Sequence, residues 1–177
     1  LGASDARTLV IVQGSDEETT LRAVEAASQR LQGLVDSGQL AGFDAVTRVL
    51  PSLAAQQARQ TSLPDAATLR ERLPEALRGL PLAPARLEPF VAEITRAKAM
   101  PPIRHADLKN GPLAPIVNAM LLQRPNGGWS SVISLHTAPS FNAEQLRLAL
   151  ADLPSAQVVD VKVELDSLYA RYLNEAF

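Results

Sequence analysis

The stretch that decides the fold is AMLLQRPNGGWSSVISLH, residues 119–136. Two apolar runs, 119–124 and 129–136, flank the sequence Pro-Asn-Gly-Gly at 125–128. Asn-Gly between two apolar runs is a strong hairpin signal, because both residues tolerate a positive φ. The stretch therefore predicts a β-hairpin whose longer arm begins at Trp129.

Working outward from this hairpin, further segments alternate between strand and helix character. Strands are predicted at residues 7–13 (RTLVIVQ), 42–50 (GFDAVTRVL) and 157–163 (QVVDVKV). Amphipathic helices are predicted at residues 17–37 and 142–153. Without the first arm of the hairpin, the order is βαββαβ. This order predicts an α+β fold of the ferredoxin-like, split-βαβ type: an antiparallel sheet with two helices on one face and an extra hairpin strand.

The first helix has recognisable ends and a buried stripe. Either Ser15 or Asp16 can cap its N-terminus, and Gly38 is a suitable stop. The stripe predicted to face the core comprises Leu21, Val24, Ala27, Leu31 and Leu34.

Residues 52–118 differ in composition from the segments around them. They are rich in Ala, Leu, Gln, Arg and Pro, and proline in the middle of a helix breaks it. We predict short helices at 52–60, 65–78, 84–99 and 112–118, which together form an all-helical insertion. The whole chain, 1–177, then reads as a single domain with its core in 1–51 and 119–163.

The last fourteen residues, ELDSLYARYLNEAF (164–177), predict an amphipathic helix. Its apolar face stops at Phe177 without a closing Gly or Pro. The chain also opens at Leu1 without a Met or a signal-peptide pattern. We therefore expect a piece of a longer protein, with this helix leading toward a transmembrane segment.

Composition excludes several classes of function. The 177 residues are 46% hydrophobic with mean hydropathy near zero, as in an ordinary globular domain. The 17 basic residues are scattered among 19 acidic ones and aromatics make up 4%, so a nucleic-acid partner is not expected. The absence of cysteine removes disulfides, thiol catalysis and sulfur-ligated metals. No run reaches the roughly 18 apolar residues of a membrane helix.

Motifs for catalysis, cofactors and metals are missing. The sequence contains no HExxH, GxGxxG, GxxxxGK[ST] or GxSxG pattern. Its two histidines, His105 and His136, have no further ligands at metal-binding spacing. Strand alternation sends Ser130 and Ser131 to opposite faces, so neither is expected to act as a nucleophile. We predict a protein that is not an enzyme and needs no cofactor or metal.

The polar loop at 104–110 allows two interpretations. His105 and Asp107 could form a proton-transfer site. Alternatively, the loop is a helix cap and turn in which Asp107 bonds local backbone, and this interpretation is favoured because no nucleophile motif accompanies the loop.

Aromatic residues supply the candidate interface. Trp129 could cover the sheet or form a contact surface, and core cover is favoured because a lone Trp usually packs. Tyrosines at helical spacing near the end of the chain suit a membrane-proximal helix or an ordinary helix packed on its own domain. The candidate interface or membrane-coupling residues are Trp129, Leu165, Leu168, Tyr169 and Tyr172.

One run carries a family resemblance. DLKNGPLAPIVNAMLLQRPNGGWSSVISL, residues 107–135, resembles the extracytoplasmic loop of bacterial predicted exporters in the MMPL branch of the RND superfamily. The opening LGASDARTLVIVQGSDEE (1–18) and the closing VVDVKVELDSLYARYLNEAF (158–177) resemble the flanks of that loop.

The resemblance implies a porter-type domain of ferredoxin-like fold, inserted between two transmembrane helices on the periplasmic side of the inner membrane. It implies proton-driven export of lipid-like, hydrophobic or acyl-type cargo, with the transmembrane helices and a sister periplasmic domain of the same exporter as partners. The proton-relaying carboxylates of such transporters sit in transmembrane helices, so no functional residue of the family maps onto this sequence.

Three hypotheses for function follow. The first is a periplasmic porter domain of an exporter, the second a stand-alone periplasmic binding or adaptor module without a transport role, and the third a hydrolase built around His105 and Asp107. A run of about 20 apolar residues directly beyond Phe177 would favour the first over the second.

Overall fold

The computed structural model describes residues 8–125 and 127–161. Within these ranges the chain forms five strands and seven α-helices. The strands are β1 Thr8–Gly14, β2 Leu40–Asp44, β3 Leu121–Gln123, β4 Trp129–Thr137 and β5 Ala156–Asp160. The helices are α1 Glu17–Asp36, α2 Leu53–Ser62, α3 Ala66–Ala76, α4 Glu88–Ala99, α5 His105–Leu108, α6 Ala114–Met120 and α7 Ala143–Leu150. Short 3₁₀ turns occur at Val46–Arg48 and Pro84–Leu87.

The strands form one open antiparallel sheet in the order β2-β4-β1-β5. β1 pairs with β4 through Ile11 opposite Val132, and β1 pairs with β5 on its other side. β2 pairs with the C-terminal half of β4, and β3 pairs with the N-terminal half of β4 along the same edge. The predicted α+β class is thus confirmed, as are the antiparallel sheet and the extra hairpin strand.

The core lies between the sheet and the helices α1 and α7. Period-two alternation turns one face of the central strands inward. The side chains at the centre of this core are fully or almost fully buried: Val10, Val12, Ile133 and Leu135 from the strands, Leu21, Val24, Ala27 and Leu31 from α1, and Leu146 and Leu150 from α7. Leu34, the last member of the predicted stripe, is partly buried against the same cluster.

Asp16, not Ser15, is the N-cap of α1. Its side chain accepts the Thr19 backbone N–H at 2.8 Å and the Thr19 hydroxyl at 2.7 Å. The hydrogen bond from the Thr19 backbone is the largest cause of a lowered pKa, and the hydroxyls of Ser15 and Thr19 add to it. Together they bring the pKa of Asp16 from its ordinary value of 3.8 to about 2.

This lowered pKa predicts an acid-dependent loss of stability. Because the folded state holds Asp16 ionised, the stabilisation is fully present above pH 3.8 and is lost as the pH falls through about 2. Asp16→Asn keeps a good N-cap that does not titrate. We expect its urea unfolding midpoint to fall less than that of the wild type between pH 5 and pH 2. An equal fall of the midpoint in both proteins would contradict this.

The predicted strand at 42–50 is wrong in its second half. β2 ends at Asp44, and the chain then turns through the 3₁₀ segment Val46–Arg48. Val46 and Leu50 are both buried, and they are four residues apart. That spacing belongs to a helical turn, so the apolar residues here fill the core without continuing the ladder.

Other boundaries differ from the predictions by a few residues. The predicted strand 119–124 is shorter because α6 continues through Met120, so β3 has three residues. The predicted helix 142–153 spans Ala143–Leu150, with Asn142 as its N-cap. The final strand, predicted at 157–163, ends at Asp160. The short α5 was not predicted as a helix.

The hairpin between β3 and β4 is confirmed. Gln123 pairs with Trp129, and the Arg124 N–H donates to the Gly128 carbonyl at 3.0 Å. Gly127 and Gly128 have φ values of 85° and 77°, in the region that favours glycine. Asn126 lies outside the described residues, so its positive φ stays a prediction.

The chain divides into two compact units. The helical unit is Leu53–Ile103 and contains α2, α3 and α4, with Arg70 donating to both carboxylate oxygens of Glu88 at 3.0 Å. The sheet unit comprises the described residues up to Ser52 and from Arg104 onward. The predicted insertion 52–118 therefore extends too far, because Val117 of α6 is buried in the core of the sheet unit.

Candidate functional site

The described part of the sheet unit contains a cavity of about 380 Å³ beside the only tryptophan of the sequence, which we name the Trp129 pocket. Five elements of the sheet unit line it. Its main side chains are Glu17 of α1, His105 and Lys109 at α5, Asn118 of α6, Leu122 of β3 and Trp129 of β4. Polar groups and apolar walls thus meet in one concave surface, which is the general form of a small-molecule site.

His105 is a mostly buried polar side chain of the pocket. Only 12% of its side chain is exposed. Its Nε2 lies 3.1 Å from Asn118 Oδ1, and its Nδ1 lies 3.8 Å from Glu17 Oε2. If Nε2–H donates to the Asn118 oxygen, Nδ1 faces a carboxylate that has no proton to give. The His105 ring is thus held between the Asn118 amide and the Glu17 carboxylate.

Trp129 contacts both this pocket and the core. Its ring meets the His105 ring at 5.5 Å between centroids with an interplanar angle of 81°, an edge-to-face arrangement. It is partly buried and packs against the core cluster of the sheet unit. Trp129 therefore covers the core as favoured by the sequence, while its role as a contact surface stays a prediction.

Asp107 is a helix cap, as the favoured interpretation of its loop predicted. Its Oδ2 accepts the Arg104 backbone N–H at 2.8 Å across the short helix α5. His105, two residues earlier, instead engages Asn118 and Glu17. The two side chains suggested for a proton-transfer site therefore have different partners, and His105 lies beside a different carboxylate from the one proposed.

The serines of β4 point to opposite faces of the sheet, as predicted. Ser131 is fully buried, and its Oγ donates to the Met120 carbonyl at 2.8 Å. Ser130 lies on the other, partly exposed side. His136 pairs with Asp44 at 2.8 Å. In the described part of the chain, no group of three His, Cys, Asp or Glu side chains is placed to hold a metal ion.

Sequence reasoning missed two members of the pocket. Glu17 lies in the first turn of α1, where the helix dipole favours an acidic residue whether or not a site is nearby. Asn118 lies in a short helix and belongs to no motif. Neither residue carries a local signal for the site, because each reaches His105 through tertiary packing.

Most of the predicted interface falls beyond the structural description. Leu165, Leu168, Tyr169 and Tyr172, with the rest of the predicted terminal helix 164–177, lie outside the described residues. In residues 8–125 and 127–161, none of the helices combines the length and apolar character needed to cross a bilayer.

A second, more open cavity lies between α1 and α7. It measures about 580 Å³ and is lined by Leu34 and Leu148, with Arg30 paired to Asp152 at its border. Leu148 is 67% exposed. This groove has fewer converging polar side chains than the Trp129 pocket and offers less chemistry.

No protein-family model matches the chain, and neither do any curated protein or solved structure at a significant level.

Proposed function

We propose that the chain is a periplasmic porter-type domain, without chemistry of its own, of a proton-driven RND/MMPL-family exporter of lipid-like or hydrophobic cargo. The observation that carries this proposal is the strand order β2-β4-β1-β5. In this order β4 lies between β1 and β2, and β1 lies between β4 and β5. Two strand–helix–strand units are thereby interleaved, which supports a ferredoxin-like, split-βαβ sheet with β3 as an added strand.

Interleaving suits a domain that must move as one piece. Neither strand–helix–strand unit can shift without breaking hydrogen bonds to a strand of the other. The face opposite α1 and α7 carries Leu9, Ile11 and Val132, which are partly exposed. We propose that this apolar face contributes one wall of the cargo path, shared with the sister periplasmic domain and the transmembrane helices.

A specific observation favours the second candidate, a stand-alone periplasmic binding or adaptor module. The Trp129 pocket is concave and combines His105, Asn118 and Lys109 with an apolar wall. Such a pocket can bind a small molecule without any transport step. The hydrolase hypothesis has less support, because Asp107 caps α5 and is not paired with His105.

Export by the full-length protein tests the proposal. We expect insertion of two Gly residues after Glu164 to abolish export, since it would interrupt the predicted connection from the final strand through the predicted helix 164–177 to the membrane. A matched insertion after Asn110, in an exposed turn of the sheet unit, should leave export near the wild-type level. Equal amounts of both variants and of the wild type in the membrane fraction control for folding.

Two results would contradict the porter proposal. Undiminished export by the Glu164 insertion variant would remove the coupling role. Hydrolase activity of the purified chain that disappears in the His105→Ala and Asp107→Ala double variant would favour an enzyme. Export that persists in this double variant, with no turnover in the purified chain, is the expected outcome.

A further inference from the structure

The helical unit contains an exposed apolar loop that none of the functions above uses. The sequence RGLPLAPAR, residues 78–86, follows α3 and includes the first three residues of the 3₁₀ turn before α4. We name it the arginine-flanked loop, because Arg78 and Arg86 enclose seven residues without a charge or a polar side chain. All nine residues are exposed.

The loop exposes large apolar side chains that a folded chain normally buries. Leu80 is 58% exposed and Leu82 is 41% exposed, and Phe90 in the first turn of α4 is 46% exposed. One glycine, two prolines and two alanines make up the rest of the sequence between Arg78 and Arg86. Such a loop is stabilised when another apolar surface covers it, because its apolar side chains are then removed from water.

Charge indicates the nature of that surface. The helical unit has seven basic and five acidic side chains, whereas the rest of the chain has ten basic and fourteen acidic ones. Arg78 pairs with Glu75 in a strongly exposed ion pair, and Arg86 has no ion pair among the described residues. Exposed ion pairs are weak and rearrange readily, so both arginines can reach an anionic partner.

We propose that the arginine-flanked loop docks on an anionic phospholipid surface. Leu80 and Leu82 enter the acyl boundary, while Arg78 and Arg86 bind lipid phosphates at the level of the headgroups. Apolar insertion flanked by basic side chains is the general pattern of peripheral membrane attachment. This inference does not depend on the proposed transport function, because it concerns only the loop and the charge around it.

Vesicle sedimentation with the purified 177-residue chain tests the proposal. The probes are vesicles of phosphatidylcholine with phosphatidylglycerol and vesicles of phosphatidylcholine alone, both at low ionic strength. We expect binding to the anionic vesicles, weakened about tenfold in Leu80→Ser with Leu82→Ser. The pair Arg78→Gln with Arg86→Gln should weaken binding to a similar extent, roughly tenfold, and reduce its salt dependence.

Leu148→Ser is the matched control, because Leu148 is a more exposed leucine in the sheet unit. It should bind anionic vesicles like the wild type, and unchanged circular dichroism of all variants controls for folding. Absence of binding, equal binding to neutral vesicles, or equal loss in Leu148→Ser would overturn the proposal. Self-association that the leucine variant abolishes, without vesicle binding, would assign the loop to a protein contact and also overturn it.

Discussion

Gly14→Ala is expected to destabilise the sheet unit by about 1–3 kcal/mol. A Cβ at this position would lie 2.4 Å from Thr20 Oγ1, 2.8 Å from Thr20 N and 3.0 Å from Thr20 Cα. Thr20 cannot retreat easily, since it is fully buried and its hydroxyl donates to the Asp16 carbonyl at 2.8 Å. The end of β1 and the first turn of α1 would have to separate.

Gly33→Ala is the matched control for this prediction. Gly33 lies in the same helix, α1, and a Cβ there would meet no atom within 4 Å apart from the nearby backbone of its own helix. Alanine is a better helix former than glycine, so we expect a stabilisation of about 1 kcal/mol. Urea unfolding followed by circular dichroism measures both variants. A Gly14→Ala protein as stable as the wild type would show that β1 and α1 do not pack this closely.

Trp129→Ala is expected to cost about 2–4 kcal/mol of unfolding free energy, slightly less than for a fully buried Trp. The ring packs on the core cluster and meets the edge of His105, and alanine would remove both contacts. Trp129→Phe keeps an aromatic ring at the same place and should cost about 1 kcal/mol. Circular dichroism is the suitable readout, because the chain has no other tryptophan.

The same variants separate the two roles predicted for Trp129. Core cover predicts that stability and export fall together in Trp129→Ala and recover together in Trp129→Phe. A pure contact surface predicts an alanine variant of normal stability that fails in export. Stability unchanged within about 0.5 kcal/mol would therefore contradict the packing described above.

Local signals were sufficient for the elements that they define. The alternation in residues 129–136 and the glycines before Trp129 predicted the hairpin, because its register depends on neighbours in sequence. The pair Ser15 and Asp16 marked the start of α1, where Asp16 proved to be the N-cap, and Gly38 marked its end. The segment after Asp44 was predicted wrongly because a strand and a 3₁₀ turn can bury the same apolar residues, and packing decides between them.

The candidate site was less predictable than the fold. His105 was noted in the sequence, yet its partners Glu17 and Asn118 are distant from it along the chain or carry no motif. Only the approach of α1 and α6 to α5 brings the three side chains together. The C-terminal end of the helical insertion was also predicted too far along the chain, because the burial of Val117 in the sheet unit depends on a tertiary contact.

The interleaved strand order has a consequence for synthesis on the ribosome. β1 has β4 and β5 as its two neighbours, and both lie beyond the helical unit in sequence. Until residue 129 and its successors emerge, Val10 and Val12 have no strand to pair with and no completed core to enter. Contacts of such sequence separation form slowly, and an unpaired apolar strand is prone to aggregate. The nascent chain should therefore need holdase protection of its first strand until β4 and β5 emerge.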